Sequence, residues 1–315
     1  MDKIQSSRNF TNKLWNVARF LTLCLDDADT PLDPSVIPDP TTDIDAWIMD
    51  QLNHTIEQVT DDLNDYRFSA AAHTLLDFTW HQCCDWYVES IKPHKQASRP
   101  VLLHVVLTTL ILIHPMMPFV TEVIWTTLLQ HPRIIEDHLM TTIQYAHWPR
   151  PSAPVNTDRL RQFDQVFDVI REIRHLIKQA RASTKHDLTV HISHESPTIQ
   201  DWLTHQQTLI QSLTHVTHVI IHDTPPSLTQ PTSQSVTATI DIRLVLPEVD
   251  AAAERDRLTR QLAPLERHHA TLTKKLQTDS FLTKAPAHVV EKVREEWHRV
   301  ASDIQIIQDQ LASLS

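Results

Sequence analysis

Apolar residues recur at every third or fourth position through most of this chain, the spacing of helices that bury one face. Phe10, Leu14, Val17 and Leu21 follow it first, while Asn9, Asn12, Lys13, Asn16 and Arg19 fall on the opposite side. That pattern predicts an amphipathic helix whose outer face is rich in amides and bears cations. Five Asp and four Pro crowd Asp26 to Pro40, a linker composition. The next helix is expected from near Asp43, with a carboxylate in its first turn, to about Tyr66. Another is expected from Ser69 to Ile91, closed by Pro93. It carries His73, Asp77, His81, Asp85 and Glu89 as one polar ridge at i,i+4, which reads more simply as a solvated stripe than as metal ligands. The apolar run from Pro100 to His114 suits the middle of a bundle, and after Pro115 and Pro118 a further helix presents Phe119, Val123, Ile124 and Leu128.

Downstream, the Pro-rich Tyr145 to Pro154 reads as the exit from the bundle. A helix from Thr157 to about Ser183 leads into three β-like runs at 188–192, 215–222 and 235–246, with a helical piece near Thr198 to Leu213. In the last sixty or so residues Leu258, Leu262, Leu265, His269, Leu272 and Leu276 keep a 4-3 spacing. Val290, Val293, Trp297, Val300, Ile304, Ile307, Leu311 and Leu314 resume it. Two heptad helices joined by a turn make an antiparallel coiled-coil hairpin, with His269 on its seam and Pro264 inside its first helix as a source of kinking. The fold expected is mainly α: a helical bundle over 1–149, a linker helix with a small α+β unit over 150–248, and the hairpin over 249–315.

Composition removes whole classes of function. None of the 315 residues is glycine, where ordinary usage of about 7% would supply roughly 22. A Walker loop, a dinucleotide-binding turn or a nucleophile elbow is therefore excluded, since each needs glycine for positive φ or close backbone approach. Helix ends must be closed by other residues. Cys24, Cys83 and Cys84 form no even framework, and two are adjacent, which points to reduced thiols and a cytoplasmic setting. The N-terminus has no signal-peptide pattern and the run from Val101 to Ile113 is too short to span a bilayer, so a soluble protein with no membrane partner is expected.

The formal net charge of −11 argues against indiscriminate nucleic-acid binding, but the cations are clustered. Lys3 to Arg19 holds four basic residues and no acid, and Glu254 to Arg299 holds ten basic against seven acidic. Arg171, Arg174, Lys178, Arg181 and Lys185 form a third run beside Glu172. Each is also compatible with an ordinary solvated helix face.

Four stretches together resemble valyl-tRNA synthetases: RNFTNKLWNVARF at 8–20, YRFSAAAHTLLDFTWHQCCDWYVESIKP at 66–93, HPMMPFVTEVIWTTL at 114–128 and LTKKLQTDSFLTKAPAHVVEKVREE at 272–296. The chain departs from the family pattern at His81 and Cys83, at Thr278, Asp279 and Ser280 in the arm turn, and after Arg174, where helix formers continue. The resemblance implies the C-terminal anticodon-binding domain and coiled-coil arm of such an enzyme, with tRNA(Val) as partner, the bundle near the anticodon loop and the arm at the elbow. Neither ATP-binding motif of class I synthetases occurs. The resemblance therefore implies no catalytic residue, metal or cofactor here, ATP belonging to the missing catalytic domain, whether that is a separate synthetase catalytic chain or the rest of one enzyme of which this is a portion, and no activity from this chain alone.

On that reading the anticodon side is Asn9, Asn12, Lys13, Asn16 and Arg19, with Trp15 placed either to stack on a base or to pack. The arm set is Arg255, Arg257, Arg260, Arg267, Lys274, Lys275, Lys284, Lys292, Arg294 and Arg299, free to track phosphates. Trp80, Trp86 and Tyr87 read as core. Two other readings compete: a helical coiled-coil scaffold that binds protein without RNA, and a metal-dependent enzyme using some of the 21 histidines. The second lacks any paired ligand spacing.

Overall fold

The computed structural model describes residues 2–27, 30–135, 141–179, 187–227, 232–236, 240–245 and 251–277, together with helical positions 290, 293–294, 296–302, 304–305 and 308. They fall into two compact units, 1–245 and 246–315.

In the first unit, α1 (Asp2–Asp26) buries Leu14, Val17, Leu21, Cys24 and Leu25. α2 (Asp43–Asn64) starts at Thr42, whose hydroxyl accepts from the Asp45 N–H at 3.2 Å. α3 (Phe68–Asp77) continues into a π-helical segment, Phe78–Val88, and then α4 (Glu89–Ile91). α5 (Lys95–Ile113) is buried on nearly all sides, as its continuous apolar sequence requires, and α6 (Pro118–Leu129) closes the bundle. α5 begins five residues before the expected start and runs through Pro100. Tertiary bonding holds that first turn: Ser98 is fully buried and donates to Asp45 at 3.1 Å.

The helical run Phe68–Ile113 is long and apolar enough to cross a membrane by length and composition, with mean hydropathy 1.5 in its best window, but 67% of that window is buried. That is the property of a core helix.

Between the bundle and the sheet, the stretch expected to be an exit linker is fastened to α2. Trp148 Nε1 donates to Thr60 Oγ1 at 2.9 Å, the Ser152 N–H to Asn53 Oδ1 at 3.0 Å, and the Asn156 N–H to Asp50 Oδ1 at 3.1 Å. Arg159 completes the strap with an ion pair to Asp50 at 2.7 Å. Asp50 and Asn53 are buried because they satisfy this backbone. The strap leads to α7 (Thr157–Gln179), whose Phe163 and Phe167 pack on Trp47 of α2. Bundle and sheet are joined across this strap within one compact unit, 1–245.

β1 (Thr189–His194), α8 (Pro197–His205), α9 (Gln207–Thr214), β2 (His218–His222), β3 (Thr232–Val236) and β4 (Ile240–Val245) complete that unit. The sheet is four-stranded in the order β2-β1-β4-β3, parallel only between β1 and β2. The third β-like run supplies β4, while β3 starts three residues before it. Val190, Ile192, Ile242 and Leu244 form the buried side, and the register pairs Val190 with Leu244 and Ile192 with Ile242.

Among the described residues, Tyr66 and His215 take the left-handed conformation that glycine usually serves, both with φ 59°. Each ends a helix. After α2 the Arg67 N–H donates to the Asp62 carbonyl at 2.7 Å and the Tyr66 N–H to the Leu63 carbonyl at 3.1 Å, the paired closure of a Schellman motif built without glycine.

The second unit contains α10 (Ala251–Leu276), which continues through Pro264. Three contacts join it to the later helical positions. His269 stacks on Trp297 with centroids 5.0 Å apart, Trp297 Nε1 donates to Thr273 Oγ1 at 2.9 Å, and His268 lies 3.3 Å from Glu296. Leu272, Val290 and Val300 are buried in this pairing. The seam position of His269 is thus filled by an aromatic stack. Heptad positions Ile307, Leu311 and Leu314 lie outside the described residues, as does the side chain of Leu258.

Candidate nucleic-acid interface

The outward face of α1 follows directly from its buried one. With Phe10, Leu14, Val17 and Leu21 turned into the bundle, Arg8, Asn9, Asn12, Asn16 and Arg19 are exposed along the helix. Trp15 stands among them at 45% exposure, part of its ring packed and part available. Beside it runs a groove of about 290 Å³ between α1 and α6, lined by Trp15, Arg19, Thr22, Ile124 and Thr127 among others. Amide edges, a guanidinium and an indole on one helix can read unpaired bases by hydrogen bonding and stacking.

Lys13 is placed differently from its neighbours. Its Nζ lies 2.5 Å from Asp85 and 4.3 Å from the centroid of Trp80, so it ties α1 to the π-helical segment. Lys13 is thus half-buried and paired within the protein, whereas Asn9, Asn12, Asn16 and Arg19 of the same anticodon-side set are exposed. The internal pair arises from the polar ridge itself, because His81 and Lys13 both approach Asp85, His81 at 3.2 Å.

In the third basic tract two exposed arginines have partners within the protein. Arg171 pairs with Asp168, and Arg174 donates twice to the Leu213 carbonyl, at 2.8 and 3.0 Å, closing the C-terminal turn of α9. Both guanidinium groups lie over Trp86, 5.6 and 5.5 Å from its centroid. Arg181 and Lys185 lie outside the described residues.

On the arm, Arg260, Arg267, Lys274, Lys275, Arg294 and Arg299 are exposed, Arg267 reaching back to the Ala263 carbonyl at 3.2 Å and Arg299 lying 4.0 Å from Glu296. The side chains of Arg255 and Arg257, and all of Lys284 and Lys292, fall outside the described residues. Exposed cations along helical segments are suited to phosphates, which need charge and little shape.

The three thiols are free and buried. Hydrogen bonding to Cys84 and burial raise the Cys83 thiol well above its ordinary value, and burial raises that of Cys24, so both stay protonated. Among the described residues no three His, Cys, Asp or Glu side chains converge as a metal set. Spacing alone gave no sign that Trp47 and Trp86, from separate helices, meet α7 at a shared groove.

An amide-and-arginine helix face on a bundle, with a second unit of helical segments bearing exposed cations, suits a tRNA-binding region. Comparison with known proteins gives it a family. Residues 45–192 match the anticodon-binding domain of tRNA ligase, and residues 250–315 match the valyl tRNA synthetase tRNA binding arm. The chain is 32% identical to the valine–tRNA ligase of Carboxydothermus hydrogenoformans over 100% of its own length and 35% of that relative. It is 30% identical to those of Staphylococcus saprophyticus, over 94% of the chain and 34% of the relative, and Geobacter sulfurreducens, over 99% and 35%. The chain carries the anticodon-binding domain of a tRNA ligase and the tRNA-binding arm of valyl-tRNA synthetases. It spans about a third of the length of these relatives.

Proposed function

We propose that this chain binds tRNA on behalf of valine attachment: the bundle grips the anticodon side of tRNA(Val), and the arm, as a coiled coil, holds the elbow. The observation that carries this reading is the match of both segments, 45–192 and 250–315, to tRNA-recognising domains, on a chain whose α1 face is exposed and polar. On this reading Arg8, Asn9, Asn12, Trp15, Asn16 and Arg19 meet the loop while the arm cations follow phosphates. The partner is a synthetase catalytic chain in the cytoplasm, which holds ATP and performs the adenylation.

A gel shift with tRNA(Val), a non-cognate tRNA and an RNA duplex at two salt concentrations tests it. Binding should be tightest to tRNA(Val) and weaken steeply with salt, as phosphate contacts do. A scaffold that binds protein alone would leave all three RNAs unshifted, and that result refutes the proposal.

A further inference from the structure

Among the described residues β2 is an edge strand, paired with β1 alone. The pleat of β1 sends Val190 and Ile192 into the core and turns His191 to the opposite face. The parallel register sets His191 beside Ile220 and Ser193 beside His222, so the two histidines meet diagonally across the strands. Their rings stack, with centroids 5.1 Å apart and planes 17° from parallel, and His191 Nδ1 lies 2.8 Å from His222 Nε2. Both side chains are half-buried, held by the sheet and still open to solvent.

Two imidazole nitrogens converging on one point are a donor set that zinc-like cations favour. Nitrogens bound tetrahedrally to one zinc at about 2.0–2.1 Å lie roughly 3.3 Å apart, only about 0.5 Å wider than this pair. A small turn of either ring makes up the difference. At present one imidazole donates the single proton that lies between the two nitrogens. A cation needs both lone pairs, so the donating ring moves its proton to its other nitrogen and both bind as neutral imidazoles, with no net proton lost. Burial, then His222 and Arg243, lower the His191 pKa, which keeps that ring neutral and able to bind. Arg243 would repel a cation if its charge stood alone, but it donates to both carboxylate oxygens of Asp241, at 2.9 and 3.2 Å, and to the Pro226 carbonyl at 2.7 Å. Asp223, next in the chain after His222, adds an exposed carboxylate.

We propose that His191 and His222 bind one divalent transition-metal ion of the zinc type, with water in its remaining positions, and that the ion staples edge strand β2 to β1. The described residues supply no closed set of three or more protein ligands, so this is an open site, weaker than a four-ligand structural zinc. It is independent of the proposed tRNA binding and is a site that the family resemblance does not imply.

The full chain is titrated with Co²⁺ alone, read by visible absorption, and with Zn²⁺ in competition with a coloured chelator. His191→Gln, His222→Gln and, as a control on the same strand, His218→Gln are compared with the parent. The parent and His218→Gln should bind one equivalent whose affinity falls by at least about tenfold in both site variants, since losing a ligand costs no less than losing its outer partner. Zn²⁺ should raise the thermal melt of the parent and of His218→Gln and leave that of the two site variants in place. Because glutamine at 191 or 222 can itself disturb the sheet, the imidazole nitrogen resonances of the parent give a second reading. One equivalent of Zn²⁺ should shift those of two histidines together. An equivalent kept by both site variants, an equal loss in His218→Gln, or shifts absent or spread over many of the 21 histidines overturns the site.

Discussion

Tyr87→Phe isolates the polar network that joins the bundle. Asp45 is fully buried, and its carboxylate accepts from Tyr87 Oη at 2.7 Å, Thr41 Oγ1 at 2.9 Å and Ser98 Oγ at 3.1 Å. These donors come from the segment before α2, the π-helical segment and α5, so one charge holds three parts of the chain together. Removing the phenolic oxygen keeps the ring and opens almost no cavity. It deletes one hydrogen bond to a charged acceptor, worth roughly 1.5–3 kcal/mol. Asp45 keeps two hydroxyl donors, which places the expected cost in the lower half, about 1.5–2 kcal/mol.

Urea unfolding followed by near-UV circular dichroism, which reports aromatic packing in the bundle, measures it as a lowered midpoint. The pH dependence supplies an independent check. Burial, and then Asp45, raise the Tyr87 hydroxyl well above its usual value, so the folded state retains a proton that the unfolded state releases near pH ~10. That stabilisation is complete below ~10 and is lost as pH rises from there toward the raised folded value. The parent should lose stability more steeply than Tyr87→Phe between pH 9.5 and 11 or so. A cost under about 0.5 kcal/mol with parallel alkaline slopes would show that Asp45 does not depend on this bond.

Other expectations can be checked directly. Tyr66→Gly and His215→Gly should each raise stability by about 0.5–1 kcal/mol in urea unfolding, because relief of left-handed strain exceeds the added freedom of the unfolded chain. His191 and His222 share an in-line hydrogen bond of 2.8 Å, and burial, then His222 and Arg243, lower the His191 pKa. The stabilisation is therefore complete above the unfolded value near ~6.5 and lost on acidification below it, and His191→Gln should flatten that acid limb. Leu272→Glu should cost on the order of 2–4 kcal/mol in the arm, read as loss of helical signal at lower urea, while deletion of 246–315 should leave the first unit's transition in place and weaken whole-tRNA binding. Arg19→Ala should reduce tRNA affinity without changing the melt, whereas Lys13→Ala should lower the melt because Asp85 loses its partner.

Much of the architecture was legible because it depends on local periodicity. The burial of Phe10, Leu14, Val17 and Leu21 dictates which side of α1 faces water, and so Asn12, Asn16 and Arg19 could be placed from their spacing alone. The hairpin pairing of His269 with Trp297 follows from two apolar series that must meet, since neither helix can bury its stripe by itself. Long-range chemistry was not legible. Nothing in the spacing of Lys13 distinguishes it from Arg19, but only Lys13 comes within reach of a carboxylate 72 positions away. Arg174 looks like part of a basic tract until α9 brings an unpaired carbonyl to it. The apparent linker is a strap because Asp50 and Asn53, which a helical pattern would assign to water, are buried where its backbone needs acceptors. The sequence alone determined which helices form and which faces they hide, because hydrophobic periodicity is a local property. Only the tertiary structure decided which charges remain available to a partner, because a charge is taken up by whichever opposite group or carbonyl the packing delivers to it.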